Sequence, residues 1–131
     1  MSAPSSKATL KVAPMASDLN INGNIFGGWV LSQMDIAGGI EAACIAQGPV
    51  ATVAIDGMKF ISPINLGEVV SIYTDTIKKG RTSMVIKIDV YSSSWDTQQN
   101  PRKVTEANFI FVAVDEEGNK RPLPEDGNCH C

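Results

Sequence analysis

One stretch constrains the fold more than any other: Asn20 to Ala46, NINGNIFGGWVLSQMDIAGGIEAACIA. It opens polar and glycine-rich, passes through Gly27-Gly28, then runs apolar with two acidic residues, Asp35 and Glu41, and no basic one. The pattern predicts a helix from about Gly27 to about Ala46. Gln47-Gly48-Pro49 stops it, with glycine just past the end and proline close behind. A helix apolar on nearly every face has to be buried. A carboxylate inside such a helix is costly unless something uses or satisfies it. The helical neighbours of Asp35 are Leu31, Ser32, Gly38 and Gly39. None of them can form an ion pair with it. Asp35 is therefore the candidate catalytic carboxylate.

The rest of the chain reads mainly as strands. Ala8 to Ala13 alternates and is closed by Pro14, which predicts a first strand. Met15 to Asn24 is a loop rich in Ser, Asp, Asn and Gly. Val50 to Ile61 is β-rich, with Gly57 marking a bulge or a close backbone approach. A turn over Pro63 to Glu68 leads to a strand over Val69 to Ile77. Lys78-Lys79-Gly80-Arg81 is a tight connection. From Ser83 to Tyr91, Met84, Ile86, Ile88 and Val90 share one face and Ser83, Lys87 and Asp89 the other. Ser92 to Arg102 is expected as a polar loop, Lys103 to Val114 as a last strand, and Asp115 to Cys131 as a loose polar tail. One long helix followed by four consecutive strands argues for an α+β fold with an antiparallel sheet. One helix on one face of a sheet leaves helix surface and sheet edges uncovered, so a dimer is expected.

The 131 residues fit one domain. The expected division is a disordered start over 1–8, a folded domain over 9–116 and a polar tail over 117–131. Net charge is −3 and the sequence pI is about 5.0. A general nucleic-acid binder is normally basic, so no nucleic-acid partner is expected. A local basic cluster can still hold a phosphorylated small molecule. The longest apolar stretch is broken by Gln33, Asp35, Glu41 and Gly38-Gly39, so no membrane span is expected. No secretory leader is visible. The three cysteines, Cys44, Cys129 and Cys131, do not form a disulfide framework, which makes a reducing cytoplasm the default. Cys129-His130-Cys131 supplies too few ligands for a closed metal site, and no metal or cofactor is expected.

From Asn20 to Asp35 the chain resembles the hotdog-fold acyl-CoA thioesterases, most closely the YciA-like group. Asn20, Asn22, Gly23, Ile25-Phe26-Gly27-Gly28-Trp29 and Ser32-Gln33-Met34-Asp35 carry the match. It continues through Val53-Ala54-Ile55, Met58, Phe60, Pro63, Gly67-Glu68-Val69-Val70, Gly80-Arg81-Thr82-Ser83, Thr105-Glu106-Ala107 and Val112-Ala113-Val114-Asp115, covering roughly Thr9 to Pro124. The resemblance implies a curved antiparallel sheet wrapped around one long helix. It implies hydrolysis of acyl-CoA to free CoA and a carboxylic acid, and dimers that assemble further, often into hexamers. By position, Asp35 matches the family's catalytic aspartate and Asn20 an active-site asparagine. Asn24 stands where YciA-like sequences often carry Asp, as it does in other branches.

Thioester hydrolysis needs a base or nucleophile and a group that stabilises the oxyanion. Asp35 can activate water or attack directly, and burial would strengthen it as a base. The ordinary alternative is a buried aspartate satisfied by hydrogen bonds. Gly27-Gly28 sits at the helix start, where unpartnered N–H groups and the helix dipole favour developing negative charge; the alternative there is tight helix–sheet packing. Asn20 and Asn22 can orient water or the carbonyl, or merely cap the loop. Lys79, Gly80, Arg81, Thr82 and Ser83 can hold the phosphates of CoA, or form a solvated turn. Lys59, Arg102 and Lys103 are further candidates, and Glu41 is expected as polar structure near a subunit contact. Two other functions fit the same resemblance. A hotdog hydratase usually needs a catalytic histidine, and the chain offers only His130. An acyl-CoA sensor needs an output element for which the chain has no room.

Overall fold

The computed structural model describes Pro4 and residues 7–125. Most of the expected disordered start, and the Cys129-His130-Cys131 segment, lie outside the described residues. The elements in chain order are β1 (Leu10–Val12), α1 (Gly27–Ala46), β2 (Val50–Phe60), β3 (Glu68–Lys79), β4 (Ser83–Ser94) and β5 (Arg102–Ala113), with a 3-10 turn at Ala16–Asp18. The strands form one antiparallel sheet in the order β1-β3-β4-β5-β2. This is the α+β hotdog fold, with one long helix against a curved five-stranded sheet.

The alternation in β4 sets the core. Met84, Ile86, Ile88 and Val90 are all fully buried, as are Ile72 on β3 and Phe109 on β5. From α1, the buried stripe Val30, Met34, Ala37, Gly38, Ala42 and Ile45 faces them. Its spacing of three and four residues is one face of a helix. At Gly38 the helix lies tight against the sheet: an added Cβ would lie 2.8 Å from both Ile88 Cδ1 and Phe111 Cζ. The expected bulge at Gly57 is present, with φ +64° and a register shift between Asp56 and Lys59.

α1 ends at Ala46, with Gln47 in the left-handed region (φ 52°) and Gly48 just past the end, where the sequence puts it. Gly48 has a different reason to be glycine, since a Cβ there would lie 2.6 Å from an Arg121 guanidinium nitrogen. That guanidinium donates to the carbonyls of Val114 (2.8 Å), Ala46 (3.0 Å) and Pro49 (3.3 Å). The chain after β5 is therefore not loose as far as Leu123, which packs on the core and donates its N–H to the Arg81 carbonyl. Ser92 and Ser93 belong to β4 and are buried rather than lying in a polar loop. Cys44 is disulfide-bonded, against the expectation of reduced thiols. No helix among the described residues is long and apolar enough to cross a membrane.

Candidate active site

The buried stripe leaves the opposite face of α1 open. Gly28, Ser32, Asp35, Ile36 and Ile40 are exposed along it. Asp35 is thus not buried within its own subunit, which corrects the expectation drawn from its apolar neighbours. It is satisfied instead from the sheet: Thr52 Oγ1 donates to Asp35 Oδ1 at 2.6 Å. A hydroxyl bound to an ionised carboxylate at this length is a charge-assisted hydrogen bond. It fixes the carboxylate while leaving Oδ2 clear of that bond. Thr52 carries no signal of its own in the sequence, where it sits in an ordinary β-rich run. Only the packing of β2 beside α1 shows its role.

Gly27 and Gly28 occupy the first turn of α1, as expected, and both are exposed. The residue capping this end is Phe26, which provides no side-chain hydrogen bond to the first N–H groups. Serine, threonine, aspartate or asparagine would normally supply one. The positive end of α1 therefore faces outward with no side-chain acceptor from its cap. Beside it lies a groove of about 300 Å³ lined by Ile25, Gly27, Val30, Phe60, Ile61, Ser62, Pro63, Ile64 and Thr105. Its walls are mostly apolar, which suits a hydrocarbon chain. Asp35 does not line it. Seven residues of helix separate Gly28 from Asp35, roughly 10 Å.

Asn20 and Asn22 hold the loop before α1. Asn20 Oδ1 accepts the N–H groups of Asn22 (2.8 Å) and Asn24 (3.2 Å), and the Asn20 N–H donates to the Asn24 carbonyl at 2.6 Å. The carbonyl oxygen of the Asn20 side chain is thus committed to loop capping. Among the described residues no hydrogen bond takes its Nδ2. Asn24 Nδ2 in turn donates to Asn65 Oδ1 at 3.0 Å.

The Lys79–Ser83 turn lies elsewhere. Thr52 pairs with Phe111, Phe111 with Met84 and Met84 with Lys79, so this turn shares a row with Thr52. Phe60, which meets Gly27, pairs with Thr105 and through it with Val90. Met84 and Val90 are six strand residues apart, roughly 20 Å. One chain therefore brings Asp35 to the row of the turn but keeps the turn away from Gly27-Gly28. Gly80, Arg81 and Lys79 are exposed, with Thr82 and Ser83 half-buried. The turn's backbone is held by bonds from Gly80 N–H to Ser83, Ala113 N–H to Thr82 and Leu123 N–H to Arg81.

The other basic candidates are largely engaged. Arg102 grips Glu68 through both nitrogens (2.5 and 2.9 Å) and donates to the Pro63 carbonyl, so it is not placed as a free phosphate ligand. Its hydrogen bonds hold the Glu68 carboxyl below the usual carboxylate range, against the opposing effect of burial. Lys103 Nζ sits 2.7 Å from Glu106 and 3.0 Å from Asp89. Burial works against its charge, but these two carboxylates keep the ammonium above its ordinary value. Lys59 is exposed and stands opposite Glu106 in the β2–β5 ladder. Among the described residues no cluster of three metal-ligating side chains occurs.

These features meet a consistent set of relatives. The thioesterase superfamily model matches residues 22–95. An acyl-CoA thioester hydrolase YciA of Salmonella typhimurium is 45% identical over 126 residues, covering 95% of this chain and 95% of that protein. The hexameric thioesterase of Yersinia pestis superposes with a TM-score of 0.88 at 45% identity, covering 94% of this chain and all (100%) of that one. A hexameric broad specificity acyl-coenzyme A thioesterase, solved with an aspartate changed to alanine, superposes with a TM-score of 0.87 at 44% identity, covering 92% of this chain and 88% of that one. With its fold and most of its length matched, the chain belongs to the thioesterase superfamily.

Proposed function

We propose that this protein hydrolyses acyl-CoA thioesters to free CoA and a carboxylic acid. The observation that carries the reading is Asp35, presented on the open face of α1 and held by Thr52, in a chain 45% identical to an acyl-CoA thioester hydrolase. Asp35 takes a proton from water as general base, or attacks the thioester carbon itself as nucleophile. In either route the carbonyl carbon becomes tetrahedral, negative charge collects on its oxygen, and the C–S bond then breaks to release CoA as the thiolate; in the nucleophilic route water then cleaves the acyl-aspartyl anhydride, releasing the carboxylic acid and restoring Asp35. The N–H groups at Gly27-Gly28 stabilise that oxygen, and Asn20 Nδ2 is a further donor. Asn22 supports the loop. Lys59 and the Lys79, Gly80, Arg81, Thr82 and Ser83 turn hold the CoA phosphates, and the groove beside Gly27 takes the acyl chain.

The separation of Gly28 from Asp35 supports a division of these roles between two subunits. A carbonyl needs its oxyanion donors and its attacking atom each within about 3 Å, and roughly 10 Å of helix is too far. Two α1 helices side by side, with Gly27-Gly28 of one subunit facing Asp35 of the other, satisfy the requirement. The same pairing covers Ile36 and Ile40 on α1 and the exposed Val53 and Ile55 on edge strand β2. Such a homodimer assembles further into a hexamer, the state of two of the solved relatives, and works without a cofactor.

The test is purified protein, a panel of acyl-CoA substrates of different length and a thiol reagent. Release of free thiol supports hydrolysis. Hydration of an enoyl-CoA without thiol release points to a hydratase, and tight acyl-CoA binding without turnover to a sensor.

A further inference from the structure

We infer that Arg102 and Glu68 form a positioning pair that sets the geometry of the loop and groove at the start of α1. The inference rests on the reading of that region as part of the active site. A continuous relay of hydrogen bonds connects the two. Arg102 holds Glu68 and the Pro63 carbonyl. Glu68 Oε1 accepts the Asn65 N–H at 2.7 Å. Asn65 Oδ1 accepts from Asn24 Nδ2 at 3.0 Å, and the Ile64 carbonyl accepts from the Ile25 N–H at 3.0 Å. Asn24 is bonded through its own N–H and carbonyl to Asn20.

The relay crosses a connection whose first residues are tied to β5, through Ile61 and Ser62 N–H to the Val104 carbonyl and Ser62 Oγ to the Lys103 carbonyl, and whose last residues depend on Glu68 and Arg102. Ile61 to Asn65 is a strand-free connection between β2 and β3, yet it supplies four of the residues lining the groove beside Gly27. The starts of β5 and β3 hold its far side through the fork of Arg102 on Glu68. Its near side holds Asn24 and Ile25, directly before the helix. Arg102 is planar and bidentate, so it fixes an angle as well as a distance. A small shift of Pro63 to Asn65 would carry Asn20 and the first turn of α1 with it. Positions that orient a reacting group are sensitive to shifts of about 1 Å, which can cost on the order of a hundredfold in rate.

The experiment compares Glu68→Gln, Arg102→Ala and Asn65→Ala with the parent protein. The last removes only the side-chain link to Asn24 and leaves the ion pair intact. Two readouts are taken. In steady-state hydrolysis of one acyl-CoA, all three variants should lose about tenfold or more in kcat with KM within about twofold, the signature of misorientation rather than lost binding. In substrate-free protein, amide exchange at Asn22 and Asn24 should accelerate by about tenfold while exchange at Ile88 in the core stays put. A raised KM at unchanged kcat in Arg102→Ala would make Arg102 a phosphate ligand and overturn the inference. Unaltered exchange at Asn22 and Asn24 in all three variants would overturn it too, whatever the activity. The proposed reaction fails separately, if the parent protein releases no thiol.

Discussion

Thr52 Oγ1 donates to Asp35 Oδ1 at 2.6 Å, and this bond ties the open face of α1 to edge strand β2. A carboxylate held through one oxygen keeps the other oriented. Thr52→Val keeps the shape and removes the donor, so kcat should fall by about tenfold, with KM little changed. Thr52→Ser keeps the donor and should recover most of the rate. Equal activity in Thr52→Val and the parent would show that the bond does not orient Asp35 for reaction.

Arg81→Ala should raise KM more than it lowers kcat, because a phosphate contact is made in ground and transition states alike. The difference should shrink as salt rises. Salt titration of KM for both proteins checks this, and an unchanged KM at low salt would leave the Lys79–Ser83 turn merely solvated.

Gly38→Ala should destabilise the fold by about 1–3 kcal/mol, since its Cβ would meet Ile88 and Phe111 inside a packed core. Denaturant unfolding measures it. No loss would mean that α1 can lift from the sheet without cost.

Two carboxylates give pH dependences of opposite sign. The Glu68 carboxyl is lowered from 4.5 by Arg102, so its contribution to stability is present above that value and is lost as pH falls through the folded-state pKa. Glu68→Gln should therefore melt below the parent at pH 7, and the gap should close in acid. The Glu41 carboxyl is raised from 4.5 by burial, with a Thr74 hydrogen bond opposing and Asp75 adding. Its protonated form is favoured by folding, so that stability is present below 4.5 and lost as pH rises. Glu41→Gln should melt above the parent at pH 7, with the advantage vanishing in acid. Melting curves of both variants across pH test the two signs together.

The parts of the fold written in local periodicity were legible in the sequence. The bounds of α1, the buried alternation of Met84, Ile86, Ile88 and Val90, and the bulge at Gly57 all stand where the pattern puts them. What was not legible depends on residues far apart. Arg102 meets Glu68 across 34 positions, because sheet register brings the starts of β3 and β5 together. Arg121 reaches Ala46 across 75, so a polar tail reads as loose until its carbonyl partners are placed. Asp35 misled for another reason. A helix apolar all round has to be buried, but its pattern does not say which face the sheet covers, and the exposed one waits for a second copy under the shared-site proposal.

That proposal has its own test. Asp35→Ala and a variant with Gly28 replaced by a bulky residue should each be inactive alone. Mixed under conditions of subunit exchange, they should recover part of the activity, because one of the two sites in the mixed dimer keeps both an intact helix start and an aspartate. Absence of recovery after proven exchange would place the whole site in one subunit.

The central claim is that Asp35 performs the chemistry of thioester hydrolysis. The most direct measurement is thiol release from a saturating acyl-CoA by Asp35→Ala, beside the parent protein, with circular dichroism and oligomeric mass recorded for both. The account predicts a loss of about two or more orders of magnitude in kcat, with fold and assembly intact. Near-parental turnover by Asp35→Ala would contradict it.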